Sequence, residues 1–325
     1  MPALYPLKFQ YDCRETAWGG TRLSKLGKSI PEGKNCGETW ELGAFQSFDS
    51  VINNGFLVNK TLSETIKEFT TDLVGGQVFE RYRQTFPLLV KFIDTSDSLS
   101  VQVHPKDNVS LVRHGKLGKT EAWYVLDAQP DALISMGFKK DVSRDEVLLQ
   151  IKKNALHEVL QTKVVKKGDF FFLPAGTVHA IGKGVTLCEI QQASDITYRL
   201  YDYNRMGLDG KPRELHVEEA LDVIDYSKSK VFNLPYQVSR NGSARLVSDD
   251  KFTINLIETV KTLYLDYSTL DSFVIIICLD GKLTIEFDGG AENLVKGDLT
   301  LLPAALKRLK LIPANKSKML EVYLS

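Results

Sequence analysis

The clearest pattern in the chain is an alternation of apolar and polar residues from Leu99 to His104. A period of two predicts a half-buried β-strand, because successive side chains of a strand point to opposite faces. In that register Gln102 and His104 lie on one face, and Pro105 ends the strand because it lacks a backbone N–H. An amide and an imidazole side by side on rigid backbone are two candidate metal ligands.

Short apolar runs separated by turn residues continue along most of the chain. They predict strands at 38–41, 86–93, 121–126, 170–173 and 186–192, and the chain from about residue 240 onward is again rich in strand patterns. Trp40, inside the first of these runs, is interpreted as a core residue. The chain is therefore predicted to be mainly β.

Helical spacing of apolar residues appears in only a few places. One helix is predicted at 62–75, where Gly75 and Gly76 end it, and a shorter one at 214–225. Another is predicted at 141–160, with a capping box formed by Ser143 and Glu146. The buried face of that helix is expected to comprise Val147, Ile151, Ala155 and Val159.

A Gly-Asp turn, an apolar strand and a Pro-Ala turn occur twice, at Gly168–Ala175 and at Gly297–Ala304. A strand-rich stretch precedes each copy, so the chain is predicted to contain two related β units. The first copy leads to His179, and the matching position in the second is Arg308. We therefore expect the second unit to keep the turn and to lose the histidine.

Length and charge narrow the classes of protein that need consideration. A chain of 325 residues favours two domains, which we place at 1–237, with helical insertions at about 62–75 and 141–160, and at 238–325. Lysine plus arginine equals aspartate plus glutamate, 41 each, so no overall basic field indicates binding to nucleic acid.

Compartment is predicted from the cysteines and the apolar runs. The four cysteines have no C-x-x-C spacing and are expected to be reduced thiols. The N-terminus lacks the apolar core of a signal peptide. The longest apolar run, Phe273–Leu279, is too short to span a membrane. The protein is therefore expected to be soluble and cytoplasmic.

Four residues on or at the ends of predicted strands are candidate metal ligands: Gln102, His104, Glu121 and His179. The inner faces of barrel strands can converge on one point, and mixed nitrogen and oxygen ligands suit zinc, with iron, cobalt or manganese as substitutes. Each residue alone also has a structural explanation, such as a packed strand histidine or a charge that protects a sheet edge. The four together favour a catalytic metal site.

These residues also carry a resemblance to a known family. The segment Gly168–His179 resembles the second signature of the cupin superfamily, whose members are small β-barrels. A fuller and more selective set resembles the short bacterial form of type I phosphomannose isomerase over about residues 5–325. That set comprises Lys91, Gln102–Pro105, Lys119–Glu121, Pro174–His179, Glu189 and Ser194–Arg199.

The resemblance implies two cupin-type jelly-roll barrels with a few peripheral helices. It also implies a zinc enzyme, with one Zn²⁺ per chain, that interconverts mannose 6-phosphate and fructose 6-phosphate. By matched position the zinc ligands would be Gln102, His104, Glu121 and His179, and Arg199 would be the active-site arginine. The other polar residues of the pocket would be Lys91, Lys119, Glu189 and Asp195.

Aldose–ketose isomerisation requires a base that moves a proton between adjacent carbons. Lys91 is the favoured base, on the expectation that a nearby divalent cation lowers its pKa, and Glu189 is the rival. Lys119 or Arg199 could grip the phosphate, and Arg199 could also stabilise the enediolate.

Two other functions fit the same pattern, namely a non-catalytic sugar-phosphate-binding cupin and a metal-dependent dioxygenase. The expected ligand is a hexose 6-phosphate, with no nucleic-acid or membrane partner. The sequence leaves the oligomeric state open.

Overall fold

The structure is a computed structural model that describes residues 3–229 and 235–324. Strands dominate it, which confirms the mainly β fold. The first β unit contains β1 (Asp12–Gly20), β2 (Cys36–Leu42), β3 (Ala44–Phe45), β4 (Phe48–Asp49), β5 (Leu88–Asp94), β6 (Val101–Val103), β7 (Glu121–Ala128), β8 (Leu133–Phe138), β9 (Leu160–Val164), β10 (Phe170–Leu173), β11 (His179–Ile181), β12 (Val185–Gln192) and β13 (Tyr198–Tyr201).

The second β unit contains the remaining described strands. They are β14 (Gly242–Ser248), β15 (Thr253–Thr259), β16 (Leu263–Asp266), β17 (Val274–Asp280), β18 (Lys282–Phe287), β19 (Gly290–Val295), β20 (Leu299–Leu302), β21 (Arg308–Pro313) and β22 (Ser317–Tyr323). A domain boundary at 237/238 stays a prediction, and the N-terminal segment reaches across it, since the N–H of Leu7 donates to the carbonyl of Leu301 at 2.8 Å.

The two units share one strand order, apart from β1 and β13, which are additional edge strands of the first unit. The first unit has a six-stranded sheet, β1-β2-β5-β12-β7-β10, facing a five-stranded sheet, β13-β6-β11-β8-β9. The second has β14-β15-β22-β17-β20 facing β16-β21-β18-β19. The repeated turn and strand occupy β10 in one unit and β20 in the other, which confirms the predicted duplication. In the described residues each unit is a pair of facing sheets rather than a closed barrel.

Three apolar layers hold the sheets together. One fills the interior of the first unit, around Trp123 and Phe171, and another fills the interior of the second, around Ile276. The third lies between the units, where the outer face of the six-stranded sheet packs on the five-stranded sheet of the second unit. Burial of these large apolar faces supplies most of the driving force for folding.

The helices are α1 (Leu62–Val74), α2 (Gly76–Tyr82), α3 (Asp107–His114), α4 (Arg144–Lys152) and α5 (Val217–Leu221). Short 3₁₀ helices lie at Arg22–Leu26, Gly55–Leu57 and Leu156–Glu158. No helix among the described residues is long and apolar enough to cross a membrane. α1 matches its prediction, whereas α2 and α3 were not predicted.

The helix predicted at 141–160 is too long. Its capping box is present, because the Ser143 side chain accepts from the N–H of Glu146 and the Glu146 side chain accepts from that of Ser143. The helix ends at Lys152, and Asn154 then takes a positive φ of 55°. Ala155 and Val159 therefore lie beyond the helix, and β9 begins at Leu160. The helix predicted at 214–225 likewise shortens to α5.

The cysteines depart from the expectation of four thiols. Cys13 on β1 and Cys36 on β2 form a disulfide with their Cα atoms 5.9 Å apart. They are 23 residues apart in sequence and come together only because β1 and β2 pair. Cys188 and Cys278 are free and buried.

Candidate active site

A row of three side chains crosses the five-stranded sheet of the first unit. Arg199 on β13 pairs with Gln102 on β6, and Gln102 pairs with His179 on β11. Residues directly opposite one another in a sheet project from the same face. The predicted register of Gln102 therefore brings it between the arginine and the histidine.

A second row crosses the six-stranded sheet opposite. Lys91 on β5 pairs with Glu189 on β12, and Glu189 pairs with Trp123 on β7. A cavity of about 100 Å³ lies between the two rows. Its lining includes Trp18, Glu38, Lys91, Ser100, Gln102, Lys119, Trp123, Glu189, Thr197, Arg199 and Arg213.

Three candidate ligands meet beside this cavity. One ligand atom each of His104, Glu121 and His179 lies within 4.8 Å of the others. Nε2 of His104 is 3.4 Å from one Glu121 carboxylate oxygen, and Nε2 of His179 is 3.3 Å from the other. All three side chains are buried.

Backbone carbonyls orient both imidazoles. Nδ1 of His104 lies 2.8 Å from the carbonyl oxygen of Ile196, and Nδ1 of His179 lies 2.9 Å from that of Thr177. A carbonyl can only accept, so each Nδ1 carries the proton and each Nε2 presents a lone pair to Glu121. A carbonyl that accepts from Nδ1 fixes the tautomer that a metal-binding histidine needs.

The charges around Glu121 fit a cation. The Glu121 carboxyl group is buried, and one of its oxygens lies 3.1 Å from the Lys119 ammonium. Burial raises the pKa of Glu121 to about 8 despite nearby Lys119, and burial lowers the pKa of His104 and of His179, the latter to about 4. Two neutral imidazoles and a buried carboxyl group form a donor set suited to zinc.

Gln102 lies beside this group, with its Nε2 atom 3.2 Å from Nε2 of His179 and its Oε1 atom 3.3 Å from the Ser100 hydroxyl. Rotation of the amide by 180° would exchange its oxygen and nitrogen and turn an acceptor toward the metal ligands. Gln102 as a fourth ligand stays a prediction.

The comparisons with known proteins agree with this geometry. The sequence model described as "Phosphomannose isomerase type I, catalytic domain" matches residues 6–135. Mannose-6-phosphate isomerase ManA of Bacillus subtilis is 38% identical over 315 residues, 94% of this chain and 95% of that protein. The chain belongs to the mannose-6-phosphate isomerase family.

Other relatives extend the match over nearly the whole length. The mannose-6-phosphate isomerase of Streptococcus mutans is 36% identical over 305 residues, 93% of each chain. The crystal structure of the Bacillus subtilis mannose 6-phosphate isomerase superposes with a TM-score of 0.88 at 30% identity, covering 98% of this chain and 99% of that one. Both units are therefore part of the family fold.

The pKa of Lys91 is raised, whereas a lowered pKa was expected. Its ammonium lies 3.2 Å from Glu38 and 3.4 Å from Glu189. Burial alone would lower the pKa of Lys91, but these two carboxylates raise it to about 12. These two carboxylates therefore oppose the lowered pKa that favoured Lys91 as base.

Glu189 is ionised in the same cluster. Burial alone would raise its pKa, but Lys119, Lys91 and the indole N–H of Trp123 lower it to about 2. Trp123 donates to one carboxylate oxygen at 2.9 Å, and the other lies 3.4 Å from the Lys91 ammonium. Glu189 thus presents an unprotonated oxygen in the interior.

Arg199 and Arg213 form a cationic end of the cavity. Arg213 is held by Asp202 through two bonds, whereas Arg199 makes no ion pair with any residue in the described ranges. Burial and Arg213 lower the pKa of Arg199, and its Nε atom is buried without a hydrogen-bond partner. An unpaired guanidinium in a buried cavity is suited to an anionic ligand.

The remaining two predicted residues have different positions. The ammonium of Lys119 lies 3.1 Å from Nε2 of His104 and 3.1 Å from Glu121, at the edge of the metal-ligand group. Asp195 instead contacts the Ser47 hydroxyl at 2.9 Å and Lys116 at 2.8 Å. The structure does not bring Asp195 into the cavity lining.

Sequence reasoning missed Glu38, Trp123 and Arg213. Glu38 and Trp123 lie on predicted strands. The alternation pattern assigned each to a face of its strand but could not predict which residues of other strands it contacts. Arg213 lies on an irregular segment with no periodic signal. Trp40, interpreted as core, is half-buried, with Lys91 5.0 Å from its ring.

The second unit replaces the functional residues at matching strand positions. Arg308 pairs with Asp266 where His179 pairs with Gln102, and Asn255 pairs with Glu321 where Lys91 pairs with Glu189. Glu321 accepts from Tyr267 and from Asn255 rather than facing an ammonium. In its described residues the second unit has no cluster of metal-ligand side chains like that of the first.

Proposed function

We propose that this chain is an isomerase that interconverts mannose 6-phosphate and fructose 6-phosphate with one Zn²⁺ bound by the first unit. Zinc would be held by His104, Glu121 and His179, with Gln102 as fourth ligand. When bound, zinc supplies a Lewis acid that polarises the oxygens on C1 and C2 of the sugar. The observation that carries this proposal is the buried His104–Glu121–His179 group beside a cavity that also holds Glu189 and Arg199.

The reaction moves one proton between neighbouring carbons. A base removes the proton from C2 of the open-chain aldose, the C–H electron pair forms a C1–C2 double bond, and the C1 carbonyl oxygen becomes negative. The O2 proton is then transferred to O1, the O2 electron pair forms the C2 carbonyl, and the base returns its proton to C1, which gives the ketose. The protein must supply a proton acceptor and positive charge near the developing oxyanion.

We assign the acceptor role to Glu189 rather than Lys91. The lowered pKa of Glu189 keeps its carboxylate ionised, so it needs no deprotonation step before it accepts a proton. Lys91, with its pKa raised to about 12, stays charged and orients Glu189 from 3.4 Å away. Lys119 and Arg199 would then stabilise negative charge on the sugar oxygens.

The phosphate would bind at the cationic end of the cavity. Arg213 is fixed by Asp202, and Arg199 forms no ion pair with the part of the chain that the structure describes. A guanidinium offers two parallel N–H donors that match phosphate oxygens. Arg199, on the same row as Gln102, is placed to act on either the phosphate or the enediolate.

A coupled assay tests the proposal. Purified protein should convert mannose 6-phosphate to fructose 6-phosphate, lose the activity after treatment with a chelator and regain it with Zn²⁺. Substitution Glu189→Gln, which keeps the shape and removes the charge, should reduce kcat by about 100-fold or more and abolish exchange of the C2 proton with solvent. Binding of the sugar phosphate without turnover in the zinc-loaded parent would refute the isomerase and leave a sugar-phosphate-binding protein.

A further inference from the structure

We propose that the second unit positions the active-site segment Gly118–Glu121 through one side chain, Lys251. This inference deepens the proposed function, because that segment carries Lys119 and Glu121. Lys251 lies in the turn between β14 and β15, and its ammonium is 2.9 Å from the Asp107 carboxylate at the start of α3. The second unit, whose described residues include no metal-ligand group, would thereby form part of the active site of the first unit.

Asp107 also forms hydrogen bonds that connect it to the active-site segment. Its other carboxylate oxygen accepts from the N–H of Gly118 at 2.7 Å and from the Gln192 amide at 2.9 Å. The oxygen of that same Gln192 amide accepts from the N–H of Thr120 at 2.9 Å. The backbone on both sides of Lys119 is therefore tied to one carboxylate.

Steric contact makes the connection stiff. A Cβ atom built on Gly118 would lie 2.6 Å from the backbone nitrogen of Asp107 and 2.7 Å from the carbonyl oxygen of Pro105. Such distances are below any normal contact, so the segment packs directly on the turn that follows His104. A displacement of Asp107 would therefore move the backbone next to Lys119 and, through it, Glu121.

The turn that carries Lys251 is itself held in place. Arg81 on α2 donates to the carbonyl of Asp250 at 3.0 Å, and the Asp250 carboxylate lies 2.7 Å from the Lys251 ammonium. Burial alone would raise the pKa of Asp107, but Lys251 together with Gly118 and Gln192 lowers it, so the carboxylate is ionised. Lys251 supplies the full positive charge among the three donors.

Lys251 is thus a positioning residue, and its variant should alter the site more than the fold. We expect Lys251→Met to speed amide hydrogen exchange in the peptide that contains 118–121 by about 10-fold. The same variant should release zinc to a chelator about 10-fold faster and lower kcat by a similar factor with KM little changed. Lys251→Arg keeps the charge and should restore all three.

Lys316→Met is the matched control, because it removes an exposed ammonium that pairs with Glu258 in the same unit. Its exchange rate in 118–121, zinc release and kcat should equal those of the parent, and its thermal midpoint should resemble that of Lys251→Met. Asp107→Asn should reproduce the effects of Lys251→Met, and the double variant should be no worse than Asp107→Asn alone.

The inference would be overturned if Lys251→Met had the same hydrogen-exchange rate in 118–121 and the same zinc-release rate as the parent. It would also be overturned if the effects of Lys251→Met and Asp107→Asn multiplied in the double variant. A defect that Lys251→Arg fails to restore would overturn it as well. Hydrogen exchange needs neither metal nor substrate. A parent protein without isomerase activity would therefore refute the proposed function and still leave this inference testable.

Discussion

Lys91 and Glu189 are paired across β5 and β12, and their charged groups lie 3.4 Å apart in the interior of the first unit. Each shifts the pKa of the other toward its charged form. A buried pair of this kind is costly to break, because removal of one partner leaves an uncompensated charge. The pair therefore links catalysis to the pH dependence of folding.

The loss of unfolding free energy at low pH should depend on Glu189. Its folded-state pKa of about 2 is below the unfolded value of 4.5, so its stabilising contribution is full above pH 4.5 and is lost as the pH falls toward 2. The shift corresponds to about 3 kcal/mol of unfolding free energy. Urea unfolding of the metal-free protein from pH 6 to pH 2.5 should show a shallower loss in Glu189→Gln. Glu158→Gln, at an exposed site, serves as control, and identical slopes in parent and Glu189→Gln would contradict the assignment.

Arg199 should act through its fork of donors and not through charge alone. Arg199→Lys keeps a cation but loses the planar guanidinium, so it should remain impaired. Loss of one charge-assisted contact in this cavity should cost about 2–4 kcal/mol of transition-state stabilisation, a rate loss of about 30- to 1000-fold. Steady-state kinetics should show the loss in kcat.

The control for that measurement is Arg144→Lys, since Arg144 forms an exposed ion pair with Glu218 on the outside of the molecule. A change confined to KM would identify Arg199 as a uniform binder of the phosphate. Unchanged kcat and KM in Arg199→Ala would remove Arg199 from the site.

Zinc should bind with one equivalent per chain. The second unit has Arg308 and Asp266 at the positions of His179 and Gln102, and its Glu321 is engaged by Tyr267. Metal analysis after dialysis should give one equivalent for the parent and none for the double variant His104→Ala/His179→Ala. Far-UV circular dichroism should stay close to that of the parent after chelation, because apolar cores hold both units. Two equivalents per chain would place a site in the second unit.

The contact between the units should be a large part of global stability. Phe86, just before β5, and Phe273, just before β17, are fully buried with ring centroids 4.7 Å apart. Each change to alanine should cost about 3–5 kcal/mol, and the double-mutant cycle should show a coupling of about 0.5–1.5 kcal/mol. Tyr264→Ala, exposed in the second unit, should have little effect. Additive losses from Phe86 and Phe273 would show that the rings do not stabilise each other.

Local patterns were sufficient for much of the fold. The alternation at Leu99–His104 placed Gln102 and His104 on one face, and the repeated Gly-Asp turn indicated the duplication with Arg308 in place of His179. Such signals are readable because the periods of strands and the geometry of turns depend on neighbouring residues. α4 was overextended because apolar spacing continued past Lys152, where Asn154 turns the chain.

The electrostatics of the site were decided by tertiary structure alone. The raised pKa of Lys91 depends on Glu38, which lies 53 positions earlier in the chain and reaches it only through pairing of β2 with β5. Other features likewise depend on contacts between segments distant in sequence. They are the Cys13–Cys36 disulfide, the position of Arg213 at the cavity and the contact of Asp195 with Lys116. Residue types and their order determined which chemistry the chain could perform. The packing of separate strands determined which charges meet, and a pKa depends on those distances rather than on sequence spacing.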